Sequence, residues 1–287
     1  MIKKAVIPAA GFGTRFLPFT KAVPKEMIPL IDKPVIQYVI EEAAAAGITE
    51  ILVVVSRGKM AIQEHFNPEF SLEDRLEKSG KTSLLEELRR IDGLARLHFV
   101  YQQELKGLGD AVLQAKSFVG NDPFAVLLGD TVLSSDYKPV TSQLLDVYAD
   151  RGAAVVALEE VPQDLTSRYG VIAGTSDDDS LYEINGLVEK PAPGKAPSNL
   201  VIASRYIFTA DIFDYLEKTP RGKGNEIQLT DAMRAMLADK AMYGLKFNGT
   251  RHDIGNKLDF IISTIEFALK SEEFRQPVTD YLKSLEL

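Results

Sequence analysis

The stretch from Ala5 to Lys33, AVIPAAGFGTRFLPFTKAVPKEMIPLIDK, constrains this chain more than any other. It opens on the short apolar run Ala5-Val6-Ile7, which predicts a buried strand, and the run ends at once in Ala9-Ala10-Gly11-Phe12-Gly13-Thr14-Arg15. Small residues at 9 to 11 and at 13 let backbone N–H groups come close to an anion, since little side chain intervenes and glycine takes positive φ freely. Arg15 and Lys25 follow at fixed spacing with Lys21 between them, and Pro18, Pro24 and Pro29 stiffen the connection. The expectation is a loop that faces a phosphate chain with its cations already in place.

Two common phosphate motifs fail on spacing. A dinucleotide fingerprint needs G-x-G-x-x-G, but Phe16 holds the third position and the following prolines forbid the helix that should begin there, which disfavours a nicotinamide dehydrogenase. A Walker A loop needs G-x-x-x-x-G-K-[ST]; the only Gly-Lys-Thr is Gly80-Lys81-Thr82, and Arg75 stands where its first glycine should be. What remains, G-x-G-T-R-x-x-P-x-T-K-x-x-P-K-E-M-x-P, closely resembles the signature of the sugar-1-phosphate nucleotidylyltransferases, and its Pro-Lys-Glu-Met version resembles the bacterial UTP-glucose-1-phosphate uridylyltransferases.

Composition narrows the partners. The 287 residues are 45% hydrophobic and 26% charged, enough to bury a sizeable core, and a formal charge of -8 argues against nucleic acid or an anionic membrane surface as a partner. Any basic site is therefore local. With no cysteine, disulfides and thiolate metal sites are excluded, and the N-terminal Met1-Ile2-Lys3-Lys4 runs directly into the first strand; the expected location is cytoplasmic. No apolar run reaches the roughly 20 residues needed to span a bilayer.

Periodicity predicts a helix over 34–46, a strand over 51–55, a solvated and charge-rich helical stretch over 59–92, and a strand over 97–101. Further strands are expected at 124–128, 153–158 and 201–208, with a helix over 140–151. The runs 169–173 and 181–184 read as a hairpin around the acidic turn 175–180, a solvated turn rather than a calcium loop. Two helices close the chain, from about 256 to 271 and on to 285, with Leu258, Ile261, Ile262, Ile265 and Ala268 either covering the sheet or joining subunits. The expected fold is α/β: a Rossmann-like mixed, mostly parallel central sheet flanked by helices, with a small β-hairpin sugar-binding region and C-terminal helices. Residues 1–255 would form the catalytic domain and 256–287 a helical extension.

Read from the residues alone, Asp130 closes an apolar strand at the ligand-binding edge of an open α/β sheet, either as a Mg²⁺ ligand or as the cap of the next turn. The segment Gln102 to Val112 is a strand-to-helix turn through Gly107 and Gly109, and Leu187 to Pro191 an exposed strand end. The resemblance implies more. It carries nucleotide contacts onto Ala9, Ala10, Gly11, Gly13, Thr14, Glu26 and Gly107, and makes Gln102 the reader of the uracil edge, offering a donor and an acceptor side by side. It places Gly170, Glu189 and Lys190 at the sugar phosphate, and makes Asp253, in Arg251-His252-Asp253-Ile254-Gly255, the second metal ligand beside Asp130. His252 is expected to be structural. The segment Asn225 to Asp231 matches a helix start that shapes the sugar side. Two positions depart from the family pattern: Asp110 where His is usual, and Thr131 where a second Asp often follows Asp130.

The implied reaction joins UTP and α-D-glucose 1-phosphate to give UDP-glucose and pyrophosphate, with Arg15, Lys25, Lys190 and Asp130 as catalytic groups, Mg²⁺ as cofactor, and a homo-oligomer, dimer or tetramer, as the assembly. A thymidylyltransferase of the same fold and a non-catalytic nucleotide-sugar sensor are the alternatives; the sensor predicts loss of Lys25 or of the metal acids, and all are present.

Overall fold

The computed structural model describes residues 2–176 and 178–285. Nine strands share one sheet: β1 (Lys4–Pro8), β2 (Glu50–Val55), β3 (Arg96–Tyr101), β4 (Phe124–Leu127), β5 (Ala154–Glu160), β6 (Gly170–Thr175), β7 (Leu181–Glu189), β8 (Leu200–Phe208) and β9 (Met242–Lys246), in the order β3-β2-β1-β4-β8-β5-β9-β7-β6. The first four are mutually parallel, with Ala5 opposite both Ile51 and Ala125. From β8 onward the sheet turns mixed: β8 is antiparallel to β4 and β5, β9 is parallel to β5, and β7 is antiparallel to β9 and β6. The parallel character is thus confined largely to the half that carries the glycine loop.

Alternation of side chains along these strands divides the core into two layers. Ile7, Ile51, Val53 and Leu127 pack with Ile36, Val39 and Ile40 of the helix Val35–Ala45 on one face. Val6, Val54, Phe124 and Val126 pack on the other with Val112, Phe213 and Met233, from the helices Leu108–Leu113, Ile212–Lys218 and Leu229–Met236. The rings of Phe124 and Phe213 stack 5.2 Å apart. Each such buried side chain contributes about 1.5–3 kcal/mol of transfer free energy.

One charged pair crosses the apolar layer. Arg205 on β8 is 1% exposed and forms a two-pronged ion pair with Glu42, closest approach 2.7 Å, while its guanidinium also donates to the Thr131 carbonyl at 2.9 Å. Glu42 in turn accepts from the backbone N–H and hydroxyl of Thr141, so the whole group is satisfied.

Several details differ from expectation. The 59–92 stretch forms helices Met60–His65, Phe70–Lys78 and Thr82–Asp92, but Lys59 ahead of them is buried rather than solvated, and Leu84 is exposed while Leu85 and Ile91 face inward. The hairpin strands are the edge of the main sheet, and Leu187-Val188-Glu189 continues β7 past an irregularity between Ile184 and Gly186 instead of forming a separate strand end. Of the acidic turn, Asp177 lies outside the described residues; Asp178 accepts from the Ser180 and Leu181 N–H groups and Asp179 pairs with Lys246.

The helix Lys257–Lys270 starts on an Asn256 cap and docks through Phe260 and Phe267 onto Phe16, Ile28, Val35 and Ile254. Its Leu258, Ile261, Ile262 and Ile265 do not cover the sheet; all four are exposed, Leu258 by 65%.

Candidate active site

The glycine loop, the end of β4 and the Gln102–Ala111 turn enclose a cleft of about 580 Å³ at the C-terminal ends of the parallel strands. Ala10, Gly11, Gly13, Thr14, Arg15, Lys25, Glu26, Gln102, Gly107, Asp130 and Lys190 all line it. Ala9 is set back: it is buried, and its N–H donates to the Val54 carbonyl at 2.8 Å, so that amide is not available to a phosphate. Lys21 is exposed and outside the cleft lining.

The loop's shape follows from its sequence. Gly13 has φ 65, and a Cβ there would stand 3.0 Å from the Lys25 Cβ and 3.1 Å from the Thr20 methyl; the tight turn brings Lys25 under the loop. The Thr20 hydroxyl fastens the turn by donating to the Gly13 carbonyl at 2.8 Å.

Lys25 Nζ donates to Asp130 Oδ2 at 2.5 Å. Burial alone would lower the Lys25 pKa, but Asp130 and Glu26 outweigh it and hold the ammonium above its ordinary value. Burial likewise works against the Asp130 carboxylate, yet Lys25 prevails and keeps it below the usual range. Glu26, 1% exposed, accepts from Lys59 Nζ at 2.7 Å. Here burial wins: Glu26 is pushed up despite Lys25 and Lys59, and Lys59 is pushed down. Alternating charges therefore run Lys59, Glu26, Lys25, Asp130 from the interior to the cleft. Lys59 went unnoticed in the sequence because it opens a charged stretch with helical spacing; only the turn after β2 brings it to Glu26.

Asp253 reaches Asp130 through a two-stranded ladder. Thr131–Ser134 pairs antiparallel with Thr250–Asp253, setting Thr131 opposite Asp253, and the Ile254 N–H donates to the Asp130 carbonyl at 3.1 Å. Gly255 lies between the two acids: a Cβ on it would be 2.7 Å from Asp253 Oδ1 and 3.8 Å from Asp130 Oδ2. Arg15 Nη1 donates to the Gly255 carbonyl at 3.2 Å, which draws the loop cation to the same place. Behind Asp253, Arg251 lies 4.5 Å over the Tyr169 ring and pairs with Glu159. His252, 2% exposed, contacts Ser134 at 3.0 Å and Glu266 at 3.2 Å, and burial lowers its pKa; it braces the ladder and faces away from the chemistry.

The donor set suits a hard divalent cation. Two carboxylates converge near Gly255, while among the described residues no cluster of three or more His, Asp or Glu stands ready for an ion. Mg²⁺ binds in that manner, through one or two carboxylates with water and substrate phosphate completing its shell.

On the far side, Lys190 has φ 43 and its N–H donates to the Tyr169 carbonyl at 2.9 Å; this uncommon backbone conformation turns its side chain out of the ladder and into the cleft lining. Lys190 Nζ is 3.1 Å from Glu189 Oε1, and Glu189 Oε2 accepts from the Thr230 hydroxyl at 2.7 Å. Gly170 is the β6 partner of Glu189, which places its backbone at the same end. Glu226, and the apolar Leu105, Leu108 and Leu128, add to the cleft wall. The Gln102 amide nitrogen donates to Asp110 at 2.7 Å and to the Gly107 carbonyl at 3.2 Å, so the donor expected to read the base is engaged within the protein.

Comparison with known proteins agrees with this fold. The family profile described as Nucleotidyl transferase matches residues 4–268. A UTP–glucose-1-phosphate uridylyltransferase of Staphylococcus epidermidis is 51% identical over 286 residues, covering 100% of this chain and 99% of the relative. A UTP-bound UGPase from Acinetobacter baumannii superposes with a TM-score of 0.92 at 38% identity over 100% of both chains. A UDP-glucose pyrophosphorylase solved with UDP-glucose gives 0.87 at 41% identity, covering 94% of this chain and 100% of that one. The chain belongs to the nucleotidyl transferase family, on the branch that carries the UTP–glucose-1-phosphate uridylyltransferases.

Proposed function

We propose that the protein transfers a uridylyl group from UTP to α-D-glucose 1-phosphate, giving UDP-glucose and pyrophosphate. The observation that carries this reading is the meeting of Lys25, Asp130, Asp253 and Arg15 around Gly255 at the foot of the glycine loop. The likeness to uridylyltransferases over the whole chain supports it.

Ala10, Gly11, Gly13 and Thr14 hold the triphosphate, and Glu26 fixes the loop beneath it. A phosphate oxygen of glucose 1-phosphate attacks the α-phosphorus; the bond from that phosphorus to the bridging oxygen breaks, and pyrophosphate leaves with the electron pair. The attacking phosphate is already an anion, so no general base is required, and catalysis consists of alignment and charge neutralisation. Lys190 aligns the attacking phosphate, Arg15 and Lys25 receive the charge on pyrophosphate, and Glu189, held by Thr230, accepts from sugar hydroxyls beside Gly170. Asp130 and Asp253 would hold Mg²⁺, which when bound neutralises phosphate charge and polarises the α-phosphorus. Gln102 and Gly107 meet the base.

Residues 1–255 act as the catalytic unit and 256–287 as an extension. The exposed row Leu258, Ile261, Ile262 and Ile265 supports a homo-oligomer, dimer or tetramer. No helix among the described residues is long and apolar enough to cross a membrane, and the absence of cysteine supports a cytoplasmic setting.

The test is pyrophosphate release with Mg²⁺ and glucose 1-phosphate across UTP, dTTP, ATP, CTP and GTP. Strong preference for UTP is expected. Preference for dTTP would reassign the base, and no turnover with any nucleotide would overturn the reading.

A further inference from the structure

Gln102 lines the cleft, but Asp110, which it touches, does not. Asp110 stands in the first turn of the helix Leu108–Leu113 and is 7% exposed; Gln102 is 5% exposed. An ionised carboxylate only accepts hydrogen bonds, whereas a primary amide has two protons to give and one oxygen to accept with. Both Gln102 amide protons have protein acceptors, Asp110 Oδ2 at 2.7 Å and the Gly107 carbonyl at 3.2 Å. Turning the amide over would set its oxygen against the Asp110 carboxylate and forfeit both bonds. Among the described residues no donor reaches the amide oxygen, and the side chain lines the cleft, so the oxygen opens toward it.

We propose that Asp110 is a positioning residue that sets base selectivity by locking the Gln102 amide with its oxygen toward the nucleotide. This rests on the uridylyl-transfer reading above. A fixed acceptor matches the N3–H of uracil. Cytosine has a lone pair at that ring position, so acceptor would face acceptor, leaving both groups desolvated and unpaired. With Asn at 110, the facing group can either accept or donate, and only the 3.2 Å bond to the Gly107 carbonyl still favours the original orientation of the Gln102 amide. The other orientation presents N–H to the cleft, which suits cytosine and opposes uracil.

The experiment measures KM for UTP and, by competition, the inhibition constant for CTP, in wild type, Asp110→Asn, Asp110→Ala, Gln102→Ala and the Gln102→Ala/Asp110→Asn double variant. The expected result for Asp110→Asn is a loss of UTP-over-CTP discrimination of at least about 10-fold, the scale of one mispaired buried polar group. KM for glucose 1-phosphate should stay within about 2-fold, since Lys190 and Glu189 are untouched. Asp110→Ala, which removes the carboxylate outright, should behave alike and serves if Asp110→Asn does not fold. In the Gln102→Ala background, Asp110→Asn should leave discrimination unchanged, because the residue acts through that amide. A folded Asp110→Asn that keeps wild-type discrimination, or that lowers it further without Gln102, overturns the inference while UTP turnover by wild type keeps the reaction assignment intact. Failure of wild type to turn over UTP removes both.

Discussion

The Lys25 ammonium lies 2.5 Å from the Asp130 carboxylate, joining the glycine loop to the turn that follows β4. Lys25 is therefore fixed before any substrate arrives, and a preorganised cation stabilises developing charge without reorganisation. Lys25→Ala is expected to lower kcat at least ~100-fold with the fold retained, measured by steady-state pyrophosphate release. A near wild-type rate would take Lys25 out of the mechanism.

The same pair fixes a pH dependence. Asp130 is held below 3.8, so its contribution to stability is present above that value and lost as pH falls through the folded pKa. Lys25 is held above 10.5, so its contribution is present below that value and lost as pH rises through the folded pKa. The stability difference between wild type and Lys25→Met, from denaturant titration, should be largest near about pH 8 and shrink as pH falls, because without Lys25 burial raises the Asp130 pKa and protonation relieves the unpaired carboxylate of the variant. A difference that stays constant down to about pH 3 would contradict the pairing.

Behind it, Lys59 and Glu26 form a buried pair at 2.7 Å in which burial pushes both groups toward neutrality. Breaking such a pair strands a charge, whereas replacing both members does not. Lys59→Met alone should cost about 3–5 kcal/mol, and adding Glu26→Gln should recover most of it. Additive losses in the double variant would show that the two do not act as a pair.

Gly255 leaves room for two acids and a cation. A methyl there would press on Asp253 Oδ1 at 2.7 Å, within reach of Asp130 and of Arg15. Gly255→Ala should raise the Mg²⁺ concentration needed for half-maximal rate by about 10- to 100-fold, the scale of disturbing groups that orient metal ligands. An unchanged Mg²⁺ titration would place the ion elsewhere.

What the sequence made legible was local. The loop, the apolar strands at 51–55 and 124–128 and the helix over 140–151 carry their signal in consecutive residues, because a buried parallel strand reads as an unbroken apolar run. What depended on distant partners was not. Nothing near residue 200 announces that β8 inserts between β4 and β5. Lys59 carries the same local pattern as the solvated lysines after it; its partner lies 33 residues away. Ala9 looks like a loop residue, yet its N–H belongs to Val54. The resemblance alone carried base reading onto Gln102, whereas the Asp110 contact that occupies its donor required the helix turn to be built.

The measurement that tests the central claim most directly is formation of UDP-glucose from UTP and glucose 1-phosphate with Mg²⁺, run side by side on wild type and Asp130→Asn. The expected result is equimolar UDP-glucose and pyrophosphate from wild type and a rate at least about 100-fold lower from a folded Asp130→Asn. No UDP-glucose from wild type, or an Asp130→Asn rate close to it, would contradict the account.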